Sequence, residues 1–115
     1  MEILEEKLSD VLIESVKFDR ATIGEANLLK EKLNKGIEDG FIKIVIDLTT
    51  CEYVDSTFLG VLVTTLKKVA KLGGDVRLVG LKPQVLAMFE LTRMFRVFQS
   101  YSDLPKAIKS YSDNE

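Results

Sequence analysis

Two hydroxyl groups and a carboxylate stand side by side at Asp55, Ser56 and Thr57, immediately before the most regular helical pattern in the chain. Two roles fit these residue types at that place. In the first, Asp55 or Ser56 caps the helix, because such side chains accept hydrogen bonds from the free N–H groups of a first turn. In the second, the helix start displays Ser56 for phosphorylation, because the helix dipole and free amides stabilise a phosphate of charge about −1.5 to −2.

The residues that follow Ser56 bear on the same choice. Gly60 lowers the helix propensity, which indicates a close approach at that point, either by a partner or by packing inside the domain. At ~100° per residue, Phe58, Val61 and Thr65 fall at the margin of the apolar stripe. They form an exposed apolar strip beside Ser56, or Phe58 is simply part of the core.

Catalysis is not favoured by the residue types. The chain has no histidine, which excludes a Ser-His-Asp triad and removes the usual general base. It has no phosphate-binding glycine motif, and its aspartates fall on separate elements without the spacing of metal ligands. We therefore expect no enzyme, no metal and no cofactor. A hydrolase or phosphotransferase that uses Asp55 and Ser56 as nucleophile and helper ranks last, because a carboxylate or lysine would have to activate it.

Composition narrows the class of partner. Sixteen basic and eighteen acidic residues give a net charge of −2, and the lysines and arginines are scattered among acidic neighbours, so nucleic acid is not an expected direct partner. Cys51 is the only cysteine, which fits a reducing compartment. Residues 1–6 lack a signal-peptide pattern, and the longest apolar runs are too short for a bilayer. We expect a cytoplasmic protein without membrane contact.

The elements that position the Ser56 turn follow from hydrophobic periodicity. Residues 1–8 and 10–18 predict two strands that form a hairpin through Ser9 and Asp10. A helix begins after Thr22, which forms a capping box with Glu25, and it ends between Gly36 and Gly40. Its apolar positions are Ile23, Ala26, Leu29, Leu33 and Ile37. The run FIKIVIDL, residues 41–48, predicts the central strand of a parallel sheet.

The second half of the chain alternates in the same way. Residues 56–72 predict the clearest helix, and Gly73 and Gly74 end it. We expect a strand over 76–80, a helix from Pro83 to Thr92, a strand over 95–98, a last helix opened at Ser102, and a frayed tail over 112–115. The helices bury apolar stripes comprising Leu59, Leu62, Val63, Leu66, Val69 and Ala70; then Val85, Leu86, Met88 and Phe89; and finally Ala107, Ile108 and Tyr111. These patterns predict an α/β fold over residues 1–115, a single domain whose mostly parallel mixed sheet has about five strands, with about four helices.

The segment IVIDLTTCEYVDSTFLGVLVTTLKK resembles the signature of STAS domains, in particular anti-sigma factor antagonists, with their strand, D-S-[ST]-G-L-G turn and following helix. Downstream, KKVAKLGGDVRLVGLKPQVLAMFELTRMFRVFQSYSDLPKAI is similar to the family's helix, Gly-Gly turn, strand, proline-opened helix and last strand. The resemblance extends over residues 10–111.

The resemblance implies a regulatory function. In this family an anti-sigma factor that is a serine kinase phosphorylates the serine after the aspartate, and a PP2C-type phosphatase removes the phosphate. The unphosphorylated antagonist binds the anti-sigma factor and so releases a sigma factor. Carried over to this sequence, the phosphorylated residue is Ser56, Asp55 orders the turn, and Asp19 lies near the same surface. Thr57, Phe58, Gly60 and Val61 complete the expected partner-binding region.

Two departures from the family pattern affect this interpretation. Phe58 stands beside the phosphosite where the family usually has glycine, and the segment from Lys17 to Leu29 lacks the usual glycine before Asp19 and has about three extra residues. The alternative function keeps the fold and makes the protein a scaffold or sensor subunit of a signalling complex that does not switch. A transporter role is disfavoured, because the sequence has no membrane-spanning run.

Overall fold

The computed structural model describes residues 2–112 and contains strands that alternate with helices. The main sheet comprises β1 (Ile3–Leu8), β2 (Val11–Val16), β4 (Lys43–Asp47), β6 (Asp75–Val79) and β7 (Gln99–Tyr101). Two short strands, β3 (Arg20–Ala21) and β5 (Tyr53–Val54), pair separately. The helices are α1 (Ile23–Glu38), α2 (Ser56–Ala70), α3 (Pro83–Leu91) and α4 (Leu104–Ser110), with one 3₁₀ turn at Met94–Arg96.

The five-stranded sheet has the order β1-β2-β4-β6-β7. The β1–β2 hairpin is antiparallel and every other neighbouring pair is parallel. The run FIKIVIDL supplies β4, which lies at the centre of the sheet as predicted. The α/β class, the mixed sheet and the opening hairpin are therefore confirmed.

Helices cover both faces of the sheet. The side chains of β2 point alternately to the two faces. Leu12 and Val16 pack in the larger core with α1, α2 and α3, whereas Val11 and Ile13 pack under α4. Tyr111, at the end of α4, fixes that helix to the sheet, because its hydroxyl accepts a hydrogen bond from the Ile44 amide at 3.1 Å. The parallel strands all run toward the edge at which α2 begins, and this arrangement positions the Ser56 turn.

The predicted apolar stripes of the helices are confirmed in part. The capping box forms, with the Thr22 amide donating to the Glu25 carboxylate at 2.9 Å. However, Ile23, Leu86 and Ala70 are exposed, although each was expected on a buried stripe. Ile23 is the first residue of α1 and Ala70 is the last residue of α2, so both lie at helix ends. Leu86 is on the outer side of α3, because Val85 and Phe89 already fill the inward face.

The strand predicted over residues 95–98 is wrong. Arg93 adopts a left-handed conformation with φ 63°, which ends the helical region of α3, and a 3₁₀ turn follows. Phe95 and Val97 are exposed, while Phe98 packs edge-on against Phe89 with ring centroids 5.9 Å apart. The last strand, β7, therefore begins at Gln99. Of the tail predicted to fray, residues 113–115 lie outside the described part of the chain.

Candidate functional site

Asp55, and not Ser56, caps α2. The backbone of Asp55 is extended, and its Oδ1 accepts a hydrogen bond from the Phe58 amide at 2.9 Å. This contact satisfies one of the free N–H groups of the first helical turn. The capping interpretation of the sequence is therefore correct for Asp55, and it leaves the Ser56 hydroxyl available for another role.

Ser56 is the first residue of α2, and it is exposed together with Thr57. Within residues 2–112 the Ser56 hydroxyl makes no hydrogen bond, so no internal contact has to break before it can react. The first turn of α2 contains no acidic residue, and its free N–H groups place the positive end of the helix dipole at Ser56. This environment favours an added negative charge on Ser56.

The two alternatives for the residues after Ser56 are now distinguished. Phe58 is completely buried in the main core, and Thr65 is also buried. The exposed apolar strip predicted from Phe58, Val61 and Thr65 therefore does not exist, because the first and third residues face inward. Val61 is half-buried and reaches the surface between α1 and α2. The family's glycine is replaced by a side chain that points away from the exposed surface at Ser56.

Gly60 lies on the exposed side of α2, one turn after Ser56. A Cβ atom built at this position would meet no atom within 4 Å, in contrast to Gly36, where it would collide with the side chain of Leu12. Close packing inside the domain therefore explains Gly36 but not Gly60. Of the two explanations that the sequence offered for Gly60, approach from outside is the one compatible with the structure.

Asp19 lies beside the segment that precedes the Ser56 turn, and its main chain makes the contact. Its carbonyl oxygen accepts hydrogen bonds from the amides of Glu52 at 2.7 Å and Tyr53 at 3.1 Å. The pairing of β3 with β5 continues this contact, and the Asp55 amide then donates to the carbonyl of Ala21 at 3.2 Å. These contacts fix the backbone of Asp19 beside the segment that leads to Asp55, and the Asp19 side chain is exposed.

A family comparison identifies this arrangement of strand, capped turn and helix. The model of the STAS domain matches residues 21–107, from β3 to α4. The chain belongs to the STAS domain family. The matched region includes the whole of the Asp55–Val61 segment, so the resemblance seen in the sequence is confirmed.

Curated relatives of this STAS domain are named as anti-sigma factor antagonists. The anti-sigma-B factor antagonist of Bacillus subtilis is 40% identical over 67 residues, which is 58% of this chain and 61% of that protein. A protein of Thermotoga neapolitana, named as a candidate anti-sigma factor antagonist, is 29% identical over 106 residues, or 89% of this chain and 90% of that protein. The second match spans nearly the whole of both chains.

Among solved structures, the Bacillus cell fate determinant SpoIIAA in its phosphorylated form superimposes with a TM-score of 0.76. The match covers 96% of this chain and 99% of that one at 13% identity. At this identity the likeness establishes the shared STAS fold. Within the part of the chain that the structure describes, no helix has the length and apolar character needed to span a membrane.

Sequence reasoning missed an aromatic contact at the edge of the STAS site. The guanidinium carbon of Arg20 lies 4.3 Å from the centre of the Tyr53 ring, and the two residues are register partners of β3 and β5. Both side chains are exposed beside the Asp19 loop. This contact depends on the pairing of β3 with β5. Each of these strands has only two residues, which is too short for hydrophobic periodicity to predict a strand.

The thiol behind the STAS turn is held in its neutral form. Cys51 is buried, and burial together with the nearby Asp47 carboxylate raises the pKa of its thiol to about 11. The hydrolase alternative also lacks support, because within residues 2–112 neither a carboxylate nor a lysine hydrogen-bonds to Ser56. In that alternative Asp55 is the nucleophile, and its Oδ1 accepts the hydrogen bond of the Phe58 amide. The site displays an exposed hydroxyl group at Ser56.

Proposed function

We propose that this protein is an anti-sigma factor antagonist controlled by phosphorylation of Ser56. In the unphosphorylated state, the surface around Ser56 binds an anti-sigma factor that is a serine kinase, and a sigma factor is released to activate transcription. The kinase inactivates its antagonist by phosphorylating Ser56, and a PP2C-type phosphatase restores it. The cycle takes place in the cytoplasm and requires no enzymatic activity of this chain.

The observation that supports this function is the exposed hydroxyl of Ser56 at the start of a capped helix, which makes no hydrogen bond within residues 2–112. A kinase needs access to the hydroxyl, and the Asp55 cap provides access without disturbing the helix. Thr57 is exposed next to it. We place Asp19, which is also exposed, on the same partner-binding surface. Asp55 orders this surface through its cap.

Charge explains how phosphorylation would switch binding off. A phosphate of charge about −1.5 to −2 on Ser56 would lie one residue from the Asp55 carboxylate and on the same surface as Asp19. The helix dipole stabilises the phosphate locally, but the surface presented to the partner becomes strongly negative. A partner that matched the neutral hydroxyl would then have to bury uncompensated charge, which is costly.

Phe58 does not argue against this function. Its ring lies entirely in the core, so the substitution for the usual glycine does not place a bulky group in the path of a kinase. We assign Phe58 a role in ordering the turn from below. Gly60 and the half-buried Val61, one helical turn further on, extend the partner-binding surface along α2.

The test is intact-mass and peptide mass spectrometry after incubation of the purified protein with ATP and the anti-sigma factor of its own genome. We expect one phosphate on Ser56 and none on Ser56→Ala, with Thr57→Ala as the matched control that still accepts phosphate. Phosphate on Thr57 would refute the site assignment. Stable binding without phosphate transfer would favour the alternative scaffold function, and absence of binding would reject both.

A further inference from the structure

A cleft opens between α1 and α2 directly beside the Ser56 turn. It has a volume of about 240 Å³, and the α2 residues that line it include Thr57, Gly60 and Thr64. Lys30 and Asn34 of α1 form the facing wall, and Lys68 closes the far end. Thr57 belongs both to the phosphosite turn and to this cleft, so a protein that docks on Ser56 has the α1–α2 cleft within its footprint.

The absence of a side chain at Gly60 keeps this cleft open. Glycine is unfavourable in the middle of a helix, and the backbone here is helical, so no special conformation requires it. A methyl group at this position would touch no other atom within 4 Å. Packing within residues 2–112 therefore does not require a glycine at this position. The missing side chain leaves room for a group that enters from outside.

The charges of the cleft indicate the chemistry of that group. Two lysines line it and no carboxylate does, although acidic residues outnumber basic ones in the chain as a whole. Lys68 donates a hydrogen bond to the Asn34 side chain at 2.9 Å, which orients its ammonium group along the wall. Within the described residues Lys30 forms no ion pair. A negatively charged occupant would compensate both cations.

We propose that the α1–α2 cleft receives an aspartate or glutamate side chain of the protein partner that recognises Ser56. This inference rests on the proposed function and adds the chemistry of recognition to it. The cleft is smaller than the about 300–1,000 Å³ of ordinary small-molecule sites, which favours a single side chain over a metabolite. The threonine hydroxyls and the Asn34 amide supply hydrogen bonds, and Lys30 and Lys68 supply charge complementarity.

The experiment measures the dissociation constant of the unphosphorylated protein with its anti-sigma factor, for wild type and four variants. Lys30→Glu and Lys68→Glu reverse the charge of the cleft, and Gly60→Leu fills it. Lys109→Glu is the matched control, because Lys109 is an exposed lysine of α4 on the opposite face of the sheet. We expect the three cleft variants to weaken binding by at least about tenfold and the control to leave it unchanged.

Two further measurements separate recognition from folding. Thermal unfolding should show all four variants folded, since each substitution is at an exposed position and Gly60→Leu raises helix propensity. Replacement of single acidic residues of the anti-sigma factor by lysine should identify one that restores binding to Lys30→Glu or Lys68→Glu. Such a rescue assigns the occupant directly through a double-mutant cycle.

The outcomes distinguish this inference from the proposed function. If the wild-type protein binds and is phosphorylated on Ser56, but the cleft variants bind equally well, the inference is wrong and the proposed function stands. If the variants change self-association and not partner binding, the cleft belongs to a second copy and the inference is overturned. If the wild-type protein does not bind the anti-sigma factor at all, both proposals are rejected.

Discussion

The Asp55 carboxylate accepts a hydrogen bond from the Phe58 amide at 2.9 Å, and the Phe58 ring is completely buried. Together these two residues fix the start of α2. The Asp55 cap holds the backbone of the first turn, and the buried Phe58 ring packs the helix against the core. Ser56 lies between them, and its hydroxyl makes no hydrogen bond within residues 2–112. Asp55 and Phe58 thus order the turn, and Ser56 presents its hydroxyl to solvent.

Asp55→Ala should lower the free energy of unfolding by about 0.5–2 kcal/mol, because the Phe58 amide loses its acceptor. Asp55→Asn is the matched control, since asparagine caps a helix as well as aspartate does. Urea unfolding followed by circular dichroism measures both. Ser56→Ala should change stability by no more than about 0.5 kcal/mol, because it removes an exposed, unbonded hydroxyl. Equal losses for Asp55→Ala and Ser56→Ala would contradict the assignment of Asp55 as the sole cap.

Ser56→Glu should weaken binding to the anti-sigma factor, because it adds negative charge beside Asp55 without changing the fold. Ser56→Gln is nearly the same size and neutral, so it separates the effect of charge from that of bulk. We expect calorimetric titration to show a loss for glutamate of at least about tenfold relative to glutamine. A loss of the same size in both variants would point to steric exclusion and would contradict the charge mechanism.

Long periodic elements could be predicted from the sequence, and short ones could not. The run FIKIVIDL and the capping box of Thr22 and Glu25 are local signals that the structure reproduces. The strand predicted over residues 95–98 failed because an apolar, aromatic run does not reveal that Arg93 takes a left-handed conformation and turns the chain. The real strand, β7, is polar and only three residues long, and it depends on pairing with β6.

The candidate site shows the same limit. The sequence located the Asp55–Ser56–Thr57 turn, because the carboxylate, the hydroxyls and the helix start are contiguous. It could not decide which residue caps α2, since Asp and Ser cap equally well. It also could not place Lys30 of α1 opposite Gly60 of α2, because that juxtaposition arises from helix packing between segments thirty residues apart.

Gly80→Ala should lower the free energy of unfolding by more than about 1 kcal/mol. Gly80 has a φ of 70°, and a Cβ atom there would collide with Thr49 in the neighbouring loop. Gly60→Ala is the matched control, and it should stabilise by about 0.5–1 kcal/mol because it raises helix propensity in open space. Chemical denaturation of the two variants measures both effects. A destabilised Gly60→Ala would mean that the glycine is needed inside the domain, contrary to the structure.

Glu14 of β2 makes the stability of the fold depend on pH. Its side chain is completely buried on the α1 face of the sheet, and within the described residues its carboxyl oxygens have no hydrogen-bond partner. Burial is the main cause, and together with the facing Glu5 carboxylate of β1 it raises the pKa of Glu14 to about 9, against weaker opposing effects of Lys32 and Lys7. The facing residue of β4 is the apolar Ile46.

The sign of the effect follows from the two states. Below the ordinary pKa of 4.5, Glu14 is protonated in both the folded and the unfolded chain and contributes no pH dependence. Between 4.5 and about 9, the folded protein keeps a proton that the unfolded chain loses. Unfolding then releases a proton, so stability falls as the pH rises, by up to about 1.4 kcal/mol per pH unit.

Glu14→Gln removes this proton release, because a glutamine side chain does not ionise. We expect the free energy of unfolding of Glu14→Gln relative to wild type to rise steadily from pH 5 to pH 8, as followed by urea unfolding at each pH. Glu6→Gln is the matched control for the loss of one carboxylate, because Glu6 is exposed on the same hairpin. A Glu14→Gln difference that stays constant with pH would show that Glu14 ionises normally in the folded protein.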